Sequence, residues 1–296
     1  MRILTHTVTP AEDGHAVKQL LRELWGISGS FLSRLKFRQA ITVNGVPVTV
    51  RFVPRPGDVL AADVSDQPGE HPHIRPVAFP LDVLYEDEDL LLINKPAGIA
   101  VHPAALTEET ATIAGAVAHY LHSESFHAVN RLDRGTTGVM ACAKTGFFHA
   151  RCMALLHTDA FQREYRAVCE GIPCPAEGDI DLPIGRADGS LLKRQPDPLG
   201  VPAHTHYQVL AAARGRALLR LTPTTGRTHQ LRVHMAAIGH PLTGDWLYGT
   251  ENRSLIARPA LHSYHLRMLH PLTGQVIDVT APLPEDMQRL LKEERL

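Results

Sequence analysis

Val129-Asn130-Arg131-Leu132-Asp133-Arg134-Gly135-Thr136-Thr137-Gly138-Val139-Met140-Ala141-Cys142-Ala143-Lys144 is the stretch around which the rest of the chain falls into place. It brings Arg131, Asp133 and Arg134 together, passes through Gly135 and Gly138, and continues as an uncharged run of strand type. The spacing therefore predicts one carboxylate held among cations at the entrance of a β-strand. An arginine on either side favours the ionised acid, which predicts a lowered pKa for Asp133 and a standing anion suited to act as nucleophile or base. The plainer reading of Arg-x-Asp-Arg is an ion pair that ties a turn.

The same stretch resembles the signature H-R-L-D-x-x-T-S-G of the RluA-type pseudouridine synthases, with Asn130 at the usual His and Thr137 at the usual Ser. Both replacements keep a hydrogen-bonding side chain. The resemblance implies that Asp133 is the catalytic residue and that Arg131 is the wedge filling the place of an everted base. Residues 85–103 are similar to the opening of that family's catalytic domain, although Lys95 and His102 taken alone read as surface loop positions.

Residues 162–168 alternate like a half-buried strand, where a tyrosine is ordinarily a packing residue. The family motif K/R-x-Y-x-A-x-V-x-G, here Arg163, Tyr165, Ala167, Val168 and Gly171 with one residue more before the glycine, implies that Tyr165 is the active-site tyrosine. Residues 217–223 form a strand that runs through a Pro-Thr-Thr-Gly turn into a helix with Leu231, Met235 and Ile238 inward. This leaves Arg227 and Thr228 at a helix N-terminus that favours anions. G-R-x-H-Q-L-R-x-H resembles a further family motif, which implies that Arg227 pairs with the catalytic carboxylate, and Leu231 is expected against the substrate. His229 and His234 are five apart, not the same-face spacing of a helical metal pair, and read as structural donors.

The 296 residues suffice for two domains, and 44% hydrophobic content fills a core. A net charge of −1 excludes a generally basic nucleic-acid coat, so RNA contact has to come from local patches. Cys142, Cys152, Cys169 and Cys174 form no Cys-x-x-Cys pair and predict reduced thiols in a cytoplasmic protein. Neither a signal sequence nor a membrane-length apolar run is expected.

Upstream, residues 16–25 and 28–38 have helical spacing, Ile41 to Val48 around Asn44-Gly45 predicts a hairpin, and Gly57-Asp58 opens a last strand. This order resembles the small α-L RNA-binding module of a ribosomal protein, with Arg34, Lys36, Arg38 and Arg51 as its basic face. Residues 65–80, with Pro68, Gly69, Pro72, Pro76 and Pro80, predict a linker, and the proline- and glycine-rich residues 172–202 a looping segment. Residues 110–121 and 147–156 predict helices, 261–268 and 276–280 a closing hairpin, and 285–296 a terminal helix.

These readings amount to an α+β chain. Residues 1–64 would be a small α/β RNA-binding domain, 65–80 a linker, and 81–296 a catalytic domain of the pseudouridine synthase type built on a mixed, largely antiparallel sheet. The expected activity is isomerisation of uridines in structured RNA, ribosomal before transfer RNA, by a monomer without cofactor, metal or membrane. Two other classes compete with it. An inactive RNA-binding or ribosome-assembly factor is opposed by intact Asp133, Tyr165 and Arg227. A metal-dependent hydrolase would use His102, His229 and His234.

Overall fold

In the computed structural model, which describes residues 1–67, 74–103, 111–123 and 125–296, the first apolar runs fold two helices onto a four-stranded sheet. The order is β1 (Ile3–Thr7), α1 (Val17–Trp25), α2 (Gly29–Phe37), β2 (Ile41–Val43), β3 (Val46–Pro47) and β4 (Val59–Asp63), and the strands lie β1-β4-β2-β3. α1 stops where Gly26 takes φ 60°, and Ser28 caps α2 by accepting from the Phe31 N–H. Asn44 and Gly45 both have positive φ, as an Asn-Gly hairpin turn requires. β1 carries no sequence signal because only Leu4 of its five residues is buried.

The remaining elements follow in order: β5 (Val83–Glu86), β6 (Leu90–Lys95), α3 (Ile113–Tyr120), β7 (His127–Ala128), β8 (Thr137–Ala143), α4 (Gly146–Leu155), β9 (Phe161–Glu170), β10 (Glu177–Asp181), β11 (Ile184–Arg186), β12 (Arg194–Pro196), β13 (His204–Ala213), β14 (Arg216–Pro223), α5 (Gln230–Ala237), β15 (Leu261–Leu269), β16 (Val276–Thr280) and α6 (Glu285–Glu294). One ten-stranded sheet runs β10-β13-β14-β9-β15-β8-β6-β5, with β16 on β15 and β7 on β8. Among the described residues only the β15–β8 pairing is parallel, so the sheet is mixed and largely antiparallel as expected. Residues 172–202 are not the loop that their composition predicts. They hold β10, β11 and β12, whose prolines stand at or beyond strand ends, where no ladder N–H is needed. Tyr120, at the end of α3, lies 42% exposed and donates its hydroxyl to Glu86.

β6 and β8 are apolar on both faces because both are covered. Leu90, Leu92, Val139 and Ala141 join the core shared with α1, α2 and α4, while Leu91, Ile93, Met140 and Cys142 join the core that holds α3 and α5. The N-terminal layer therefore packs directly on α4, with Phe31 5.1 Å from Phe147 between ring centroids and Arg151 donating to the Trp25 carbonyl. Of the expected linker, residues 68–73, including Pro68, Gly69 and Pro72, lie outside the described residues, as does Thr110. Asp66 is docked: one carboxylate oxygen accepts from the Gly146 N–H at 2.7 Å and the other is 2.7 Å from His127 Nε2.

The parallel junction fixes the loop that precedes β8. Thr137 faces His262 and Gly138 faces Ser263, and Gly138 has φ +106°. A β-carbon at position 138 would lie 2.1 Å from the Ser263 carbonyl oxygen, so only glycine lets these strands meet. Burial holds the His262 pKa down at about 4, so its neutral ring donates from Nε2 to the Ala281 carbonyl and accepts the Thr137 hydroxyl at Nδ1, 2.8 Å away.

Candidate active site

Lys95 ends β6 fully buried, contrary to the surface position expected for it. Its Nζ donates to three carbonyls, Pro96 at 2.8 Å, Thr136 at 3.0 Å and Arg134 at 3.2 Å, and so pins the turn that follows Asp133. Burial lowers the Lys95 pKa to about 8, while the nearby Asp133 charge acts the other way. Gly98 and Arg134 lock the same turn from the front: the Gly98 N–H donates to the Arg134 carbonyl and Arg134 Nε donates back to the Gly98 carbonyl. Behind Asp133, the Asn130 side-chain oxygen accepts the Ala141 N–H at 2.7 Å and ties the loop to β8.

The cation on Asp133 is not the one that the sequence suggests. Arg227 sits in the turn before α5, its Nε donating to the Pro202 carbonyl at 3.0 Å. Arg232, on the helix itself, places Nη1 3.4 Å from Asp133 Oδ2. Nor do the chain neighbours serve: Arg134 reaches Gly98, and Arg131 is exposed at the rim. Arg232 is in turn gripped by the fully buried Asp245, with Nε and Nη2 at 2.7 and 2.8 Å from its two oxygens. Asp245 also accepts the N–H groups of Leu247 and Tyr248, which orients the carboxylate.

His229, the residue that caps α5 with φ 59°, lies with Nε2 4.0 Å from Asp133 Oδ2 and Nδ1 2.9 Å from the Tyr248 hydroxyl. Burial lowers its pKa, the charge on Asp133 raises it, and burial is the larger effect, so the ring is neutral. Tyr248 accepts the Arg194 N–H and stacks under Arg232, whose guanidinium carbon is 5.0 Å from the ring centre. Arg232, Asp245 and Tyr248 are the site residues that sequence reasoning passed over, and His229 stands beside Asp133 where it reads from the sequence as a structural donor. The second arginine of Gly226-Arg227-Thr228-His229-Gln230-Leu231-Arg232 was the available signal.

Tyr165 points inward from β9, opposite Ser263 and Leu221, and is 6% exposed. Burial raises its pKa, so the phenol is uncharged. Tyr165 and Leu231 line a cleft of about 530 Å³ together with Arg131, Asp133, Arg163, Arg227 and Arg232. Among the described residues that line this cleft, Asp133 is the only acid. Its carboxylate, 28% exposed, opens onto the cleft.

The histidines do not assemble a metal triad. Both ring nitrogens of His234 are engaged, with the Thr205 hydroxyl at 3.0 Å and the Leu182 carbonyl at 2.9 Å. Among the described residues no group of three or more His, Cys, Asp or Glu side chains could hold a metal ion. On the N-terminal layer Arg34, Lys36 and Arg51 are exposed, whereas Arg38 is half-buried, donating to the Ser65 carbonyl and lying 3.5 Å from Asp63. No helix among the described residues is long and apolar enough to cross a membrane.

Comparison with known proteins bears on the same residues. Residues 89–237 match the model of the RNA pseudouridylate synthase family. The chain is 41% identical to an uncharacterized RNA pseudouridine synthase, YjbO, of Bacillus subtilis, covering 94% of this chain and 99% of that one. It is 37% identical to ribosomal large subunit pseudouridine synthase D of Yersinia pestis, covering 97% and 93%. Among solved structures it is similar to human RNA pseudouridylate synthase domain containing 4, with a TM-score of 0.59 and 27% identity over 72% of this chain and 93% of the other.

Proposed function

The chain belongs to the RNA pseudouridylate synthase family and is an RNA pseudouridine synthase, and from that premise we propose that Asp133 is its nucleophile and large-subunit ribosomal RNA its substrate. The observation that carries the assignment is the Asp133–Arg232–Asp245 chain: a carboxylate facing a cleft, paired with an arginine that a second, buried carboxylate holds still.

The reaction breaks the bond from ribose C1′ to uracil N1 and forms one from C1′ to C5. The C5 proton is lost, and N1 gains one. It needs no oxidant and no added group. Asp133, attacking the sugar or the base, holds one half of the substrate while the other turns. Arg232 pairs with that carboxylate and aims it. Tyr165, an uncharged phenol, stacks on the loosened base, and Leu231 closes the pocket beside it, which keeps water from the intermediate. The uridine has to leave its stack first, at a cost of a few kcal/mol. Arg131 at the rim fills the vacated place, and Arg227 and the exposed Arg34, Lys36 and Arg51 hold phosphates. Residues 1–64 then act as an RNA-binding unit, 65–80 as the tether and 81–296 as the catalytic unit of a cytoplasmic monomer.

Asp133→Asn tests this reading. Pseudouridine mapping of ribosomal and transfer RNA, from cells carrying that variant in place of the native chain, should lose a position in large-subunit RNA. RNA binding should be kept. An unchanged map would refute the nucleophile, and a loss confined to transfer RNA would refute the substrate.

A further inference from the structure

A charged side chain on a half-buried strand ordinarily takes the outer face, and β9 departs from this at Arg163. Phe161, Arg163, Tyr165 and Ala167 form the inward face of the strand, and Arg163 is only 7% exposed. The other buried arginines have an acid at hand, Asp245 for Arg232 and Asp286 for Arg258. Arg163 makes no salt bridge among the described residues. Its Nη2 alone is engaged, with the carbonyls of Pro223 at 3.4 Å and Thr225 at 3.2 Å, and its buried Nε has no partner. The two carbonyls fix the plane of the guanidinium while leaving its charge without a counter-ion, a costly arrangement in the free protein.

Arg163 lines the cleft that contains Asp133 and Tyr165. It stands two residues from Tyr165 on one strand face, a separation of about 7 Å. Across the turn is Gly226, where an added β-carbon would meet one atom within 4 Å, Arg163 Nη1 at 3.2 Å. The missing side chain leaves Nη1 uncovered. A guanidinium held in plane at the wall of the cleft can meet a phosphate group at Nη1, which supplies an acceptor and the missing negative charge at once.

We propose that Arg163 is a phosphate anchor, binding through its Nη1 the backbone phosphate next to the target uridine. The proposal rests on the RNA synthase reading and adds to it a site for one particular phosphate. It makes Arg163 a positioning residue, since the phosphate and not the reacting base is what it holds.

Binding is measured in an Asp133→Asn background, so that turnover does not intervene. The probe is a stem-loop cut from the large-subunit RNA around the uridine that the protein modifies, with single methylphosphonate linkages placed along the strand. One neutral linkage beside the uridine should weaken binding by about tenfold, and Arg163→Met should weaken the unmodified RNA by a similar factor. Combining the two should cost no more than either alone. The slope of log affinity against log salt should become shallower by nearly one in Arg163→Met and return in Arg163→Lys. The melting temperature of free Arg163→Met should hold or rise, whereas a merely structural arginine would lower it.

Independent, additive losses or an unchanged salt slope would overturn the anchor. If the Met variant does not fold, the linkage scan on the Arg163 protein decides alone, and a scan with no sensitive linkage beside the uridine overturns it as well. If the protein with native Asp133 forms no pseudouridine in this RNA, it is the substrate reading that has failed.

Discussion

Asp245→Asn is an almost isosteric change that removes one charge from the interior and leaves Arg232, itself buried, with Asp133 as its only acid. Asp245 is fully buried and binds Arg232 through both oxygens at 2.7 and 2.8 Å. Breaking one side of such a pair ordinarily costs about 3–5 kcal/mol, because the partner charge is left uncompensated. With about 2–4 °C of melting temperature per kcal/mol in a chain of this size, the variant should melt on the order of 10 °C lower. Arg232 would then be free to shift toward Asp133, and a misplacement of about 1 Å in such a site lowers turnover by roughly a hundredfold. Differential scanning calorimetry and single-turnover pseudouridine formation read the two effects separately. The double variant Arg232→Met with Asp245→Leu removes both charges. It should regain most of the lost stability while staying inactive, since Asp133 then has no arginine. An Asp245→Asn protein melting within about 2 °C of the native one, or one with unaltered single-turnover rate, would refute the claim that Asp245 holds Arg232 against Asp133.

Lys95 provides a test by pH. Its folded pKa of about 8 lies below its ordinary 10.5, so between these values the unfolded chain binds a proton that the folded chain does not, and stability rises with pH through that window. The native protein should therefore gain about 2 kcal/mol relative to Lys95→Met between pH 7 and pH 9.5 in denaturant titrations, and a constant difference would refute the burial of a charged ammonium there. Gly138→Ala forces a β-carbon to 2.1 Å from the Ser263 carbonyl oxygen. It should cost more than about 4 kcal/mol and yield insoluble protein. Gly135→Ala, whose nearest neighbour would be Pro259 at 3.3 Å, should stay folded.

Much of the fold was legible because the strands and helices state their own faces. Ser28, Gly26 and Asn44-Gly45 punctuate the N-terminal layer where local chemistry demands it, and the unbroken apolar runs of β6 and β8 announce strands covered on both sides. β1 and β10 escaped for a common reason. Each is an edge strand with one residue in five buried, Leu4 and Ile180, and alternation cannot be read from a single position.

The site was legible as to the loop and not as to its partners. Periodicity assigns a residue to a face, but every residue from Gln230 to Met235 is buried, so α5 has no outer face over its first turns and the inward set Leu231, Met235 and Ile238 could not exclude Arg232. Which of two arginines meets Asp133 depends on where the helix starts, and His229, held at φ 59° by the tertiary structure, sets that start. Lys95 escaped for a related reason. A lysine after a strand reads as exposed unless two carbonyls from a turn about forty residues away converge on it with that of Pro96, and no local pattern encodes that convergence. Asp133 itself was signalled by its neighbours Arg131 and Arg134, yet neither is its cation. Their part is different: one anchors the turn and the other stands at the rim, leaving the charge on Asp133 to be set from across the cleft. An acid whose counter-ion comes from a separate element can be aimed by that element independently of its own loop.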